Sequence, residues 1–186
     1  MKTTTNILKS ARYLFRDKGY EKTSIEDITE MSDIAKSTFF KHFPNKESLL
    51  IGIAEEEVAD LLDLMDDPLY KSSQTIEKIR TIMLRLLEDS LPYLQLTGRV
   101  VFSSIINKSD KETPYLQIRR ILENLIRESQ EKGEIKATFS QSEIVTLIMG
   151  SYYGLLFRWL EEDSKVGATS ELDHILDMIF KGITEE

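Results

Sequence analysis

The sequence predicts an all-α fold of about nine helices, on three observations. Apolar residues recur at helical spacing along almost the whole chain. No stretch of useful length alternates as a strand would, although Val and Ile are plentiful. Pro44, Pro68, Pro92 and Pro114, with Gly19, Gly98 and Gly133, fall between the apolar stripes, where helices stop or start.

Ile7, Leu8, Ala11, Leu14 and Phe15 form the inner face of a first helix, which Thr4 or Thr5 can cap and Gly19 can end. Thr23 and Glu26 have capping-box spacing for a short second helix, with Ile25 and Ile28 inward and its end near Met31. Ser32-Asp33-Ile34 reads as a tight turn, because Asp tolerates left-handed backbone better than most residues. A third helix runs from Ala35 to about Phe43, ahead of Pro44.

Asn45 caps a fourth helix whose stripe from Leu49 to Met65 implies a length of about 30 Å. A fifth spans about 74–90, and Val100 to Ile106 reads as a short sixth. Pro114 opens a seventh that ends at Gly133, Ser140 or Ser142 caps an eighth that reaches Glu162, and a ninth covers Ser170 to Ile183. Asp67–Ser73, Asn107–Thr113 and Lys165–Thr169 read as loops. Three small helices in residues 1–46 and a helical remainder in 47–186 define the expected domains.

Charge divides the chain unequally. The whole carries 24 Lys and Arg against 32 Asp and Glu, net −8. Residues 1–50 hold 9 against 7, net +2, and residues 51–186 hold 15 against 25, net −10. Only the first quarter is suited to a phosphate partner.

The absent chemistry argues against an enzyme. There is no Cys, His42 and His174 are the only histidines, and no Gly-rich phosphate loop or nucleophile elbow occurs. No cofactor or metal site is expected. Acidic runs at Glu55 to Glu57, Asp66-Asp67 and Glu161-Glu162 read as solvated helix faces and ends. No signal peptide is expected, and the longest uncharged stretch, 144–157, is shorter than the roughly 20 residues a bilayer needs. A cytoplasmic protein without membrane contact is the expectation.

A turn between the second and third helices suggests a helix-turn-helix. Ile34 and Phe39 would pack inward, leaving Lys36, Ser37, Thr38, Phe40, Lys41 and His42 outside, a short basic face suited to bases and phosphates. Phe40 can also be read as core, His42 as a helix-end contact and Lys41 as a solvated charge.

Residues 7–50 resemble the DNA-binding domain of TetR-type transcriptional regulators. The resemblance is carried by Ile7-Leu8, Ala11, Leu14-Phe15, Gly19-Tyr20, Thr23-Ser24-Ile25, Asp27-Ile28, Lys36-Ser37-Thr38-Phe39-Phe40, His42-Phe43 and Lys46-Glu47-Ser48-Leu49. Further on, Gly133-Glu134-Ile135 leading to a helix with Trp159 is similar. The turn departs from the family's usual Ala-Gly-Val, with Asp33 in the glycine position. Thr29, Ser37, Phe40 and Lys41 replace residues common there, which leaves the operator sequence open but not the binding mode.

The resemblance implies roles. Thr23 and Ser24 would meet a phosphate at the start of the second helix, from which Glu26 and Asp27 would turn away. Lys46 would hold another phosphate at the fourth. Lys36, Ser37 and Thr38 would read base edges, with Phe40 and His42 near the backbone of double-stranded DNA.

The eighth helix is apolar nearly all round, so it needs neighbours on two sides. It is either the centre of a monomer or part of a homodimer. The resemblance implies the dimer, a four-helix bundle with Ile144, Leu147, Ile148, Gly150, Gly154 and Leu155 from this helix and Leu172, Ile175 and Ile179 from the last. Two heads would then read a palindromic operator.

The resemblance also implies a small-molecule effector in the helical body. Candidate lining residues are Met83, Leu87, Tyr93, Phe102, Ile106, Leu122, Met149, Tyr152 and Trp159, a set that would suit a hydrophobic effector and can equally be ordinary core. Arg158 could anchor an anion or pair with Glu161 or Glu162. A ligand-released homodimeric repressor is the main expectation. The alternative is an activator or co-regulator that lacks a small-molecule effector.

Overall fold

Local capping chemistry sets several helix limits. The computed structural model describes residues 2–91, 94, 96–98, 113–162 and 166–184. Among them lie nine named helices: α1 (Lys2–Lys18), α2 (Ile25–Met31), α3 (Lys36–His42), α4 (Glu47–Asp66), α5 (Pro68–Ser72), α6 (Thr75–Ser90), α7 (Pro114–Glu131), α8 (Gln141–Glu162) and α9 (Ala168–Ile183). The described residues form no strand, only an isolated bridge between Ile135 and Thr184. None of their helices is long and apolar enough to cross a membrane.

Several expected limits hold and several shift. Gly19 ends α1 at φ +82°, and Thr113 accepts from Leu116 N–H ahead of Pro114 in α7. Asn45 accepts from Ser48 N–H at 2.9 Å at the start of α4. Ser140 and Glu143 form a reciprocal cap at the start of α8. The cap of α2 is Ser24 with Asp27, one residue beyond the expected Thr23 and Glu26. Helix α1 begins ahead of Thr4 and Thr5, so neither caps it. The segment 67–73 is not a loop but contains α5, because Asp67 accepts from Leu69 N–H at 2.8 Å and Pro68 is preset for a first helical position. The expected helix at 100–106 lies outside the described residues.

Two buried clusters organise the chain. In the head, Ile7, Leu8, Ala11, Leu14 and Phe15 of α1 meet Ile28, Phe39 and Phe43. In the body, α7 packs on α4, α6 and α8, and α9 packs on α6 and α8. Helix α4 serves both clusters. Its Leu49, Leu50 and Ile53 belong to the head, and its Val58 and Leu61 to the body. Each such side chain stabilises by about 1.5–3 kcal/mol when fully buried, so the two ends of one rigid helix are anchored in different cores.

Gly52 allows the close approach of α4 to the head. A Cβ there would stand 3.0 Å from Leu8 Cδ2 and 3.1 Å from Phe43 Cε1. At the other end of the chain, Arg80 of α6 pairs with Asp173 and Asp177 of α9. Arg158 pairs with Glu162, at 3.7 Å, and with Glu171, which also accepts from Trp159 Nε1 at 3.1 Å.

Candidate nucleic-acid interface and internal cavity

The α2–α3 turn is held from both sides. Ser32 Oγ donates to Ile28 O at 2.6 Å, and Asn6 of α1 donates to Ser32 O at 2.8 Å. Ile34 N–H closes onto Thr29 O at 3.0 Å. Asp33 takes the left-handed backbone the turn requires, at φ +51°. With the turn set, Phe39 is fully buried against Phe43 and the head core. Lys36, Ser37, Phe40, Lys41 and His42 are exposed and Thr38 is half-buried. Phe40 therefore lies on the outer face of α3, with its ring edge-on to Phe39. His42 Nδ1 lies 3.1 Å from Thr4 Oγ1.

Charges on this face are already paired in part. The Lys36 ammonium meets Glu26, whose carboxyl it holds below the usual range. Asp27 accepts from Ser24 N–H and Ser24 Oγ, both at 2.8 Å, and from Lys18 at 3.0 Å. These bonds, chiefly those from Ser24, push its carboxyl down to about 2. Asp27 thus turns back onto the start of α2 instead of away from it.

Two expected phosphate contacts point inward. Thr23 is buried and its hydroxyl donates to Gly19 O at 2.8 Å. Lys46 donates to Tyr20 O at 2.7 Å and Thr23 O at 3.0 Å, and sits over the Tyr20 ring. Both are corrections: the connection between α1 and α2 leaves carbonyl oxygens that these donors satisfy.

The head matches the model of the bacterial regulatory proteins of the tetR family over residues 7–53. Over 99% of this chain and 98% of the relative, it is 25% identical to the uncharacterized HTH-type transcriptional regulator YvkB of Bacillus subtilis. Residues 7–53 are a TetR-family DNA-binding head, and the chain is similar to regulators of that family over its whole length. It is a DNA-binding transcriptional regulator of the helix-turn-helix class. Solved TetR-family relatives share the whole fold. One, from work on control of antibiotic production by bacterial hormones, has a TM-score of 0.80 at 20% identity, covering 100% of this chain and 99% of that one. The regulator FadR of Bacillus subtilis, in complex with stearoyl-CoA, has a TM-score of 0.70 at 19% identity, covering 96% and 98%.

The chain holds a cavity of about 90 Å3 in its body. Helix α4 supplies Leu50, Ile53, Ala54 and Glu57; α6 supplies Met83, Leu86 and Ser90; α7 supplies Tyr115 and Ile118; α8 supplies Met149, Tyr152 and Tyr153. Of the expected lining residues, Met83, Met149 and Tyr152 face it. Leu87, Leu122 and Trp159 are buried elsewhere in the core, since one step along a helix turns a side chain by about 100°. Tyr93, Phe102 and Ile106 lie outside the described residues. Tyr152 OH donates to Leu86 O at 3.3 Å and lies 2.8 Å from Ser90 Oγ. Burial raises its phenol far above the usual range, so it stays a neutral hydrogen-bonding group.

Glu57 is the feature that sequence reasoning missed. Its side chain is only 15% exposed, and burial pushes the carboxyl up to about 7. The expected solvated run at 55–57 is therefore corrected at this position. The missed signal was register: Leu50, Ile53, Ala54, Glu57 and Leu61 share one face of a helix. Among the described residues, no group of three or more His, Asp or Glu could hold a metal ion.

The outer faces of α8 and α9 also correct an expectation. Ile144, Ile148, Leu155, Leu172 and Ile179 are buried in the chain's own core, and Ile175 is half-buried. Of the expected set, Leu147, Gly150 and Gly154 do form the exposed stripe of α8, together with Phe157, and Met178 is exposed on α9.

Proposed function

We propose that this chain is a homodimeric TetR-family repressor, released from a palindromic operator by a small effector with an apolar body. Residues 1–46 act as the DNA-binding head and 47–186 as the effector-binding and dimerising body. The observation that carries the reading is the double duty of α4. Leu50 and Ile53 belong to the head core and line the cavity as well. A ligand that widens the cavity must push the helix on which the head is packed. Because Gly52 lies against Leu8 and Phe43, α4 has little slack there, and a shift of α4 carries α1 and α3 with it.

Lys36, Ser37, Thr38, Phe40 and Lys41 face the DNA in this reading, with Ser24 and His42 at the margins. Thr23 and Lys46 support the head from within. The partner subunit covers Leu147, Gly150, Gly154 and Phe157, since a second copy related by a two-fold axis offers the same apolar stripe. Stearoyl-CoA in the similar FadR of Bacillus subtilis supports a ligand with an apolar body. The dimer presents two recognition helices, which suits a half-site repeated about one helical turn apart.

Selection of bound fragments from a random DNA pool by the purified protein tests this. A palindrome, enriched by the parent protein and lost with Lys36→Ala and Thr38→Ala, is the expected result. No enrichment from folded, dimeric protein overturns it.

A further inference from the structure

Among its described lining residues the cavity has one carboxyl group, that of Glu57, and no Lys, Arg or His. Glu57 stands one turn beyond Ile53 on α4, in a wall that also holds Met83, Leu86, Met149 and Tyr153. Its counter-ion comes from the head: Arg12 Nη1 of α1 lies 3.9 Å from Glu57 Oε1. That pairing is divided, because Arg12 Nη2 donates to Ile53 O at 3.1 Å and to Glu56 at 3.4 Å. The other described groups that act on Glu57 are carboxylates. Asp60 and Glu56 share its helix, and Asp89 faces it from α6, where Arg85 takes up part of Asp89's charge at 3.3 Å.

Among the described residues, an apolar cavity with a carboxylate in its wall, one shared cation and three further carboxylates nearby is short of positive charge. An anion entering it would meet like charge, and a purely apolar ligand would leave Glu57 as it is. A cation completes the pair and strengthens it by excluding water.

We propose that the effector of this chain is a lipophilic cation, an amine on an apolar body, whose charged end binds Glu57 and displaces Arg12 from it. The inference rests on the effector-regulated reading above and adds ligand class and route. The amine and Arg12 compete for one carboxylate, so occupancy of the cavity loosens the contact between α4 and α1. Burial and the neighbouring carboxylates raise Glu57, so an arriving cation lowers it again, and binding releases a proton near neutral pH.

Three probes with the same six-carbon chain, hexylamine, 1-hexanol and hexanoate, separate the classes in calorimetric titrations of the full chain. At about pH 8, hexylamine is expected to bind roughly tenfold more tightly than hexanol, with hexanoate weakest. In Glu57→Gln the preference falls to within about twofold while hexanol binding persists. Titrations of the parent protein near pH 6.5 in buffers of different ionisation enthalpy are expected to show proton release with hexylamine, a readout independent of any variant. Binding of hexanoate as tight as hexylamine, an amine preference that survives Glu57→Gln, absence of proton release, or no binding of any probe overturns the proposal. Release of the selected DNA fragment is measured separately. Glu57-dependent amine binding without DNA release upholds the ligand class and overturns the regulatory reading instead.

Discussion

The Lys46 ammonium donates to Tyr20 O at 2.7 Å and lies 4.0 Å from the centroid of the same residue's ring. With Thr23 O as its second acceptor, it ties the beginning of α4 to the connection between α1 and α2. Lys46→Met removes a charged donor from two carbonyls and is expected to destabilise the chain by about 1–3 kcal/mol. Urea denaturation measures this. A phosphate contact behaves oppositely: stability stays constant and the salt dependence of DNA binding weakens by about one ion.

Glu26 holds Lys36 at the surface where DNA is proposed to bind. Glu26→Gln frees the ammonium and removes a negative charge. An exposed ion pair is weak, so affinity for the selected DNA is expected to rise only about 1.5- to 5-fold. Fluorescence anisotropy across a salt series checks it, and a fall in affinity contradicts the arrangement.

Burial keeps Glu57 protonated up to about 7 in the folded chain, against an ordinary value of 4.5. The native state therefore binds more protons than the unfolded one between these values, and stability falls as pH rises through that window. Glu56 and Asp89, also raised by burial, act in the same direction. Full ionisation of Glu57 costs of order 3 kcal/mol. Glu57→Gln is expected to flatten the profile and to exceed the parent's stability at about pH 8, as read by chemical denaturation at several pH values.

Gly150 and Gly154 have nothing within 4 Å of a Cβ built on either. Within one chain a larger residue is harmless there, and arginine suits a helix better than glycine by roughly 1 kcal/mol. Gly154→Arg is therefore expected to preserve helix content and thermal stability of the fold while converting a dimer to a monomer in sedimentation. A variant that remains dimeric moves the interface elsewhere.

The helical class, the family and the outward residues of α3 were legible in residue order, because they depend on periodicity and on near-neighbour chemistry. Phe39 alternates with Lys36 and Phe40 within two turns, and Gly19, Pro68 and Pro114 act on their own backbone. Other features needed packing. Thr23 and Ser24 are both good caps, and the fold chose Ser24 because Thr23 is buried on Gly19 O. Lys46 reads as a free surface charge until α4 is laid beside Tyr20.

The same holds for the two faces of α8 and for Glu57. Leu147 and Ile148 are equally apolar, and periodicity cannot say which one the core takes when a helix is apolar all round; contact with α7 and α9 assigns Ile148 inward. Glu57 sits in an acidic run that solvent would ordinarily cover. Its burial comes from long-range packing of α4 against α6, α7 and α1, elements brought together only when the chain closes. Spacing along the chain encodes what each helix does to itself, whereas a carboxylate's neighbours, and hence its charge and chemistry, are properties of the assembled fold.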